Sequence, residues 1–138
     1  MVKKILYISL LLLVFSCEKI YVNGDLDGMW RMQSIETDGV VAYPDSVFYS
    51  FQRHLAMMGI YSEVGHPKNM YMGCFTYEND RITMDNFYRY PGEDSISVPE
   101  ELENLYIYSD TMFFNVEHLS SDVLVLSSNG MKYSFRKW

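Results

Sequence analysis

The chain has 138 residues, a formal net charge of −7 and two cysteines. This length suits one domain, and the acidic charge argues against nucleic acid or anionic lipid as a binding partner. Aromatic residues make up 16% of the chain, including 12 tyrosines and 8 phenylalanines, and such side chains favour β-strands.

The first segment has the pattern of a secretory signal peptide. Lys3 and Lys4 precede an apolar run at residues 5–15, and the small residue Ser16 follows it. The run is shorter than the roughly 20 apolar residues that a transmembrane helix needs. We therefore predict that residues 1–16 are a signal peptide and that the chain is exported.

Cys17 stands directly after the expected cleavage point. Residues 14–17, Val-Phe-Ser-Cys, resemble the bacterial lipobox, which implies acylation of Cys17 and a lipid anchor in the membrane. Two or more acyl chains would hold the domain firmly. Glu18, where an aspartate would favour the inner membrane, points to the outer membrane, with residues 17–25 as a lipidated tether. The alternative is an ordinary signal peptide followed by an incidental cysteine.

The folded domain is predicted to span residues 26–138. Its first strand places Trp30, Met32 and Ser34 on one face, with the period of two that is typical of strands. Alternation and turn signals predict eight strands in all, at residues 26–36, 46–52, 55–63, 70–77, 81–85, 111–117, 122–127 and 131–137.

The connections between these strands are mostly tight turns. Asn129-Gly130 joins the last two strands and is a strong hairpin signal. The strand period fails between residues 86 and 110, where residues 97–105 predict one short helix laid against a barrel end. Short strands with this spacing indicate an all-β sandwich or an up-and-down barrel.

Gly28-Met29-Trp30 resembles the G-x-W motif of the lipocalin superfamily, in which an arginine of the last strand packs across the tryptophan. This resemblance implies an eight-stranded antiparallel up-and-down β-barrel whose first and last strands pair. It also implies that Gly28, Trp30 and Arg136 close the barrel floor, through a cation–π contact between the last two.

The chain more closely resembles the small lipocalin-like lipoproteins of Gram-negative bacteria. The parts of the sequence that carry this resemblance are Cys17 and residues 26–30, 44–52, 114–119, 124–127 and 133–137. Most such relatives have no assigned function. The resemblance therefore implies a fold and a membrane location more than an activity.

The sequence lacks the spacing of a known catalytic or metal-binding motif. Its three histidines form neither an H-x-H nor an H-E-x-x-H pattern; they are His54, His66 and His118. Cys74 alternates with two methionines along a strand and is interpreted as a small buried apolar side chain, without a disulfide partner if Cys17 is acylated. We predict no enzymatic activity, no cofactor and no metal.

The remaining candidate site is the barrel interior, because an eight-stranded barrel is either filled by side chains or holds one small ligand. Flexible methionines predict an adaptable lining for a small apolar or amphipathic ligand, formed by Met32, Met70, Met72 and Met112. The alternative is a plugged barrel that acts as a monomeric surface module for a protein or glycan. Its contacts would include exposed tyrosines, namely Tyr88, Tyr90, Tyr106 and Tyr108.

Overall fold

The computed structural model describes residues 22–62, 67–91 and 99–138. The predicted signal peptide and Cys17 lie outside the described residues. The described residues form nine strands: β1 (Gly28–Thr37), β2 (Val40–Ala42), β3 (Val47–Gln52), β4 (Leu55–Tyr61), β5 (Pro67–Glu78), β6 (Arg81–Tyr90), β7 (Met112–Leu119), β8 (Val123–Ser128) and β9 (Met131–Lys137).

The sheet closes on itself as an antiparallel barrel. From β3 to β9 each strand pairs with the next one along the chain, and β1 pairs with both β3 and β9. Trp30 lies opposite Lys137 and Thr37 lies opposite Met131. The all-β fold, the up-and-down order and the pairing of first and last strands are therefore confirmed, and closure leaves the main ring without an exposed edge.

One strand of the structure was not predicted from the sequence. Val40–Ala42 forms β2, which pairs with the end of β1 across the Asp38–Gly39 turn, so the barrel of eight strands carries a short ninth. Asp38 and Gly39 both adopt positive φ, as this type of two-residue hairpin turn requires. A strand of three residues is too short to show a period of two.

The pairings of the described strands contain four register shifts, and two of them affected the predicted alternation. In β1 the register shifts between Met32 and Ser34, so Ile35 rather than Ser34 follows Met32 on the buried face. In β6 Asn86 has a φ of 52°, and the pairing with β5 shifts next to it. A bulge breaks the period of two, which is why the predicted strand ended at residue 85 although β6 continues to Tyr90.

The segment between β6 and β7 contains the predicted helical turns, as two 3-10 turns rather than one α-helix, at Pro99–Glu101 and Glu103–Leu105. Tyr106 ends the second turn in the left-handed conformation, with φ of 63°. A third 3-10 turn, Gly24–Leu26, precedes β1. Among the described residues, no helix has the length and apolar character needed to cross a membrane.

Candidate functional site

The inside of the barrel is packed with large side chains. The largest fully buried ones that belong to this core include Trp30, Tyr49, Phe51, Phe114, Tyr133 and Phe135, together with Met32, Met58 and Met84; the buried Met112 also packs in this core. Aromatic rings meet across the interior, with centroids 5.1 Å apart for Tyr49 and Phe135 and 5.2 Å apart for Phe114 and Tyr133. Among the described residues, these contacts bring large rings from different strands together inside the barrel.

One end of the barrel, which we call the mouth, is covered by Leu102–Ile107. Leu102, Leu105 and Ile107 are buried there. Two tyrosines of the core hold this segment: the Tyr49 hydroxyl donates to the Leu105 carbonyl at 2.5 Å, and the Tyr133 hydroxyl donates to the Tyr106 carbonyl at 2.9 Å. Burial raises the pKa of both phenols, so both remain protonated donors at neutral pH.

The opposite end, the floor, is closed around Trp30. Its indole Nε1 donates to the Leu26 carbonyl at 2.8 Å, which ties the turn before β1 under the barrel. Lys137 crosses the indole, with Nζ 4.3 Å from the ring centroid, and donates to the carbonyls of Asp25 and Asp27. Desolvation lowers the pKa of Lys137, and the two aspartates oppose that shift.

The predicted contact of Arg136 with Trp30 is wrong. The strand register places Lys137 opposite Trp30 and Arg136 opposite Arg31, so the arginine points away from the floor. The Arg136 guanidinium lies in solvent, 3.4 Å from the Asp122 carboxylate. A cation does cover the tryptophan, but it is the lysine one residue later.

Gly28 is required by this floor. A Cβ at this position would lie 2.8 Å from Cε of Lys137, and its φ of 126° is one that other residues rarely adopt. The lack of a side chain at Gly28 therefore leaves room for Lys137 to lie over the Trp30 indole.

The four predicted ligand-lining methionines lie on two different faces. Met32 and Met112 are buried inside the barrel, as predicted, but they are part of the packed core. Met70 and Met72 lie on the outer face, because the neighbouring positions Tyr71 and Phe75 take the inner one. The prediction that Met70 and Met72 line the interior is therefore wrong.

The outer face of β1 and β3–β6 is unusually apolar. Cross-strand pairing joins Met57 to Met72, Met72 to Tyr88, and Met70 to Tyr90. We call this surface the apolar wall and define it by nine residues: Met29, Phe48, Met57, Tyr61, Met70, Met72, Tyr88, Tyr90 and Trp138.

Phe48 is the buried centre of the apolar wall. Its ring lies 5.0 Å from that of Tyr61, and Tyr61 in turn lies 4.6 Å from Trp138. Gly59, which is paired with Phe48 on the next strand, leaves room for the ring, since a Cβ there would be 2.9 Å from it. The indole of Trp138 is 59% exposed, and the Arg31 guanidinium lies 5.9 Å from its centroid.

The four tyrosines predicted to form an exposed contact surface belong to two elements, and only Tyr90 and Tyr108 are exposed, whereas Tyr88 and Tyr106 are half-buried. Tyr88 and Tyr90 are on β6 in the apolar wall, where the Tyr88 hydroxyl lies 3.4 Å from Sδ of Met72. Tyr106 and Tyr108 follow the 3-10 turns at the mouth. Cys74 shares its strand face with Met72, as predicted, but that face is the outer one and the thiol is half-buried rather than in the core.

A polar groove lies further round the barrel, on the outer face of β5, β6 and β7. Its volume is about 380 Å³, and its lining is formed by Thr76, Glu78, Asn79, Arg81, Thr83 and Asn115. Pairing arranges the surface in two rows, Thr76–Thr83–Phe113 and Glu78–Arg81–Asn115. Phe113 is 56% exposed at the end of the first row. We call these seven residues the polar groove; nothing in the sequence pattern had marked them.

Within the described residues, no cluster of three or more histidine, cysteine, aspartate or glutamate side chains could hold a metal ion. His54 lies exposed in the β3–β4 turn, and His118 is exposed on β7. His66 lies outside the described residues.

A closed antiparallel barrel with a G-x-W strand and a covered tryptophan on its floor is typical of a protein of the lipocalin type. The family described as a lipocalin-like domain matches residues 10–138, and the chain belongs to that family. Proteins with this fold generally bind other molecules rather than catalyse reactions.

Two solved structures are similar to the chain. A lipocalin-like protein from Bacteroides uniformis is 27% identical, with a TM-score of 0.63, over 83% of this chain and all of that one. An uncharacterized protein from Bacteroides eggerthii is 25% identical, with a TM-score of 0.66, over 82% of this chain and 99% of that one. None of the curated proteins compared with the chain matches it.

Proposed function

We propose that this protein is a lipid-anchored, non-enzymatic binding module of the bacterial cell envelope that makes its contacts from the outside of a filled barrel. The observation that carries the proposal is the packed interior, with Leu102–Ile107 over the mouth and Lys137 over the floor. A ligand cannot enter without displacing these groups. We therefore assign partner contacts to the outer face of the barrel.

The anchor is assigned to Cys17 on the lipobox-like residues 14–17. Cys17→Ser should release the protein from the outer-membrane fraction, since one residue carries the acyl chains. Intact mass of the wild-type protein should show the added diacylglyceryl and acyl groups. A wild-type protein whose mass corresponds to simple cleavage without acylation would contradict the anchor.

The polar groove is the surface that we assign to partner binding. Its hydroxyl, amide, guanidinium and carboxylate groups can donate to and accept from the hydroxyls of a sugar, and cross-strand neighbours lie about 5 Å apart. Phe113 supplies an exposed ring that can pack against the apolar face of a sugar. The ligand class that fits these groups is a neutral or weakly charged glycan.

The groove is tested by binding to a panel of purified oligosaccharides. Arg81→Ala and Phe113→Ala should each weaken binding about tenfold, which corresponds to about 1.4 kcal/mol. Arg136→Ala removes an exposed arginine from β9, outside the groove, and should leave binding unchanged. Equal losses in all three variants, or no glycan bound by the wild type, would contradict the assignment.

A small apolar ligand inside the barrel is the second candidate, and one observation favours it. The mouth segment is tied to the barrel by tyrosine hydroxyls and apolar side chains rather than by strand pairing. A ligand that replaced Leu102, Leu105 and Ile107 would occupy the vacated space. Native mass spectrometry of protein purified in mild detergent would show this ligand as a stoichiometric added mass, and its absence supports the filled barrel.

A further inference from the structure

The apolar wall brings large apolar side chains into partial contact with solvent. Trp138 and Tyr90 are 59% and 48% exposed, and the methionines between them are half-buried. Contiguous apolar patches on soluble domains mark contact sites. Methionine-rich surfaces adapt to irregular partners because the side chain is flexible and polarizable.

The start of the described chain lies at one edge of this wall. The Asn23 side chain donates to the Arg53 carbonyl at 2.8 Å, in the turn between β3 and β4, the two strands that carry Phe48 and Met57. Cys17 is five residues before Val22. Five extended residues span at most about 17 Å. Acyl chains on Cys17 would therefore enter a bilayer close to the lower edge of the wall.

The side chains of the wall suit the surface of a bilayer. Trp and Tyr are amphipathic rings that concentrate at the boundary between acyl chains and headgroups. Arg31, beside the Trp138 ring, can reach headgroup phosphates while its stem remains on apolar surface. The net negative charge of the chain favours a zwitterionic surface over an anionic one.

We propose that the apolar wall lies against the same leaflet that receives the acyl chains of Cys17, so that the barrel is attached at two places and rests on its side. This inference rests on the lipid anchor of the proposed function. The wall and the polar groove share β5 and β6 but use opposite ends of them, since the wall takes Met70 and Tyr90 and the groove takes Glu78 and Arg81 beside the hairpin turn. Contact through the wall therefore does not use the residues of the groove.

The test uses the two tryptophans as an internal comparison. Full-length lipidated protein is reconstituted in phosphatidylcholine vesicles with brominated or ordinary acyl chains, and tryptophan fluorescence is recorded. Trp138 lies on the wall, whereas Trp30 is 0% exposed inside the barrel. We expect brominated lipid to quench the wild type, and to leave the emission of Trp138→Phe unchanged.

Variants separate docking from anchoring. Met57→Glu with Met72→Glu should reduce the quenching several-fold while the protein still sediments with the vesicles. Lys132→Glu, an exposed position on the outer face of β9, should leave the quenching unchanged.

Three outcomes would overturn the inference. Anchored protein whose Trp138 is not quenched would overturn docking alone and leave the anchor intact. A wall covered by a second copy or by a protein partner, detected by cross-links through its residues without lipid quenching, would do the same. Unacylated wild-type protein would overturn the anchor and the docking together.

Discussion

Adjacent methionines on β4 show how differently the two faces of one strand are used. Met58 points inward and is 0% exposed in the core, whereas Met57 points outward and is half-buried in the apolar wall. On β3 both faces are buried: the Tyr49 hydroxyl donates to the mouth segment inside the barrel, and Phe48, which is 1% exposed, packs under Tyr61 beneath the wall. The inner face supplies stability, and the half-buried and exposed side chains of the outer face are free to contact another molecule.

The largest expected difference is between Met58 and Met57. Met58→Ala should lower the free energy of unfolding by about 2–5 kcal/mol, because it leaves a cavity in a closed core. Met57→Ala should cost less than about 1 kcal/mol, because its side chain is already half in water. Urea unfolding of both variants measures the difference. Equal costs would mean that the two faces are equally buried and that the contrast is wrong.

A smaller effect is expected from the tyrosines that hold the mouth. Tyr49→Phe should cost about 1–2 kcal/mol, since the buried Leu105 carbonyl loses its donor. Tyr90→Phe, which changes a half-exposed ring on the outer face, should cost almost nothing.

These phenols also predict how stability depends on pH. Burial raises the folded-state pKa of Tyr49 and Tyr133 above the ordinary value of 10.0. Stability that depends on their protonated form is fully present below pH 10, and is lost as the pH rises through the folded-state values. The midpoint temperature of unfolding should therefore decrease as the pH rises above 10. Tyr49→Phe should make this decrease less steep, whereas Tyr90→Phe should not.

The smallest effect concerns the cation of the floor. Lys137→Ala should cost about 1 kcal/mol, because it removes the contact with the Trp30 ring and two hydrogen bonds to backbone carbonyls. Arg136→Ala should stay within about 0.5 kcal/mol, as expected for an exposed ion pair. Thermal unfolding measures the loss of stability in both variants. A larger loss for Arg136→Ala than for Lys137→Ala would indicate that the arginine is the cation that closes the floor.

The sequence predicted the barrel well, because its evidence is local and repeated. Turn dipeptides and short alternating runs indicate an all-β sandwich or barrel, and the resemblance of Gly28-Met29-Trp30 to the G-x-W motif implies the closed barrel and the pairing of β1 with β9, which the structure confirms. The sequence did not predict which cation covers Trp30. Arg136 and Lys137 are adjacent, and a shift of one residue in the strand register moves a side chain to the opposite face of the sheet.

The candidate sites were harder to predict. Strands β3, β4 and β5 carry large apolar residues on both faces, so composition does not reveal which methionines are inside. The bulge at Asn86 hid the second half of β6 and with it the positions of Tyr88 and Tyr90. The polar groove depends on the pairing of three strands, which side-chain type alone does not specify.

The apolar wall on the outer face is proposed to lie against the bilayer. This placement is tested most directly by NMR of the methionine ε-methyl groups in the full-length lipidated protein, held in nanodiscs that contain spin-labelled lipid. Four methionines lie on the outer face, Met29, Met57, Met70 and Met72; four are buried inside, Met32, Met58, Met84 and Met112; and Met131 is half-buried against the core and is not used in the comparison. We predict that the outer methyl signals broaden strongly and that the inner signals persist. Equal broadening of both sets, or none in the outer set of the anchored protein, would contradict the account.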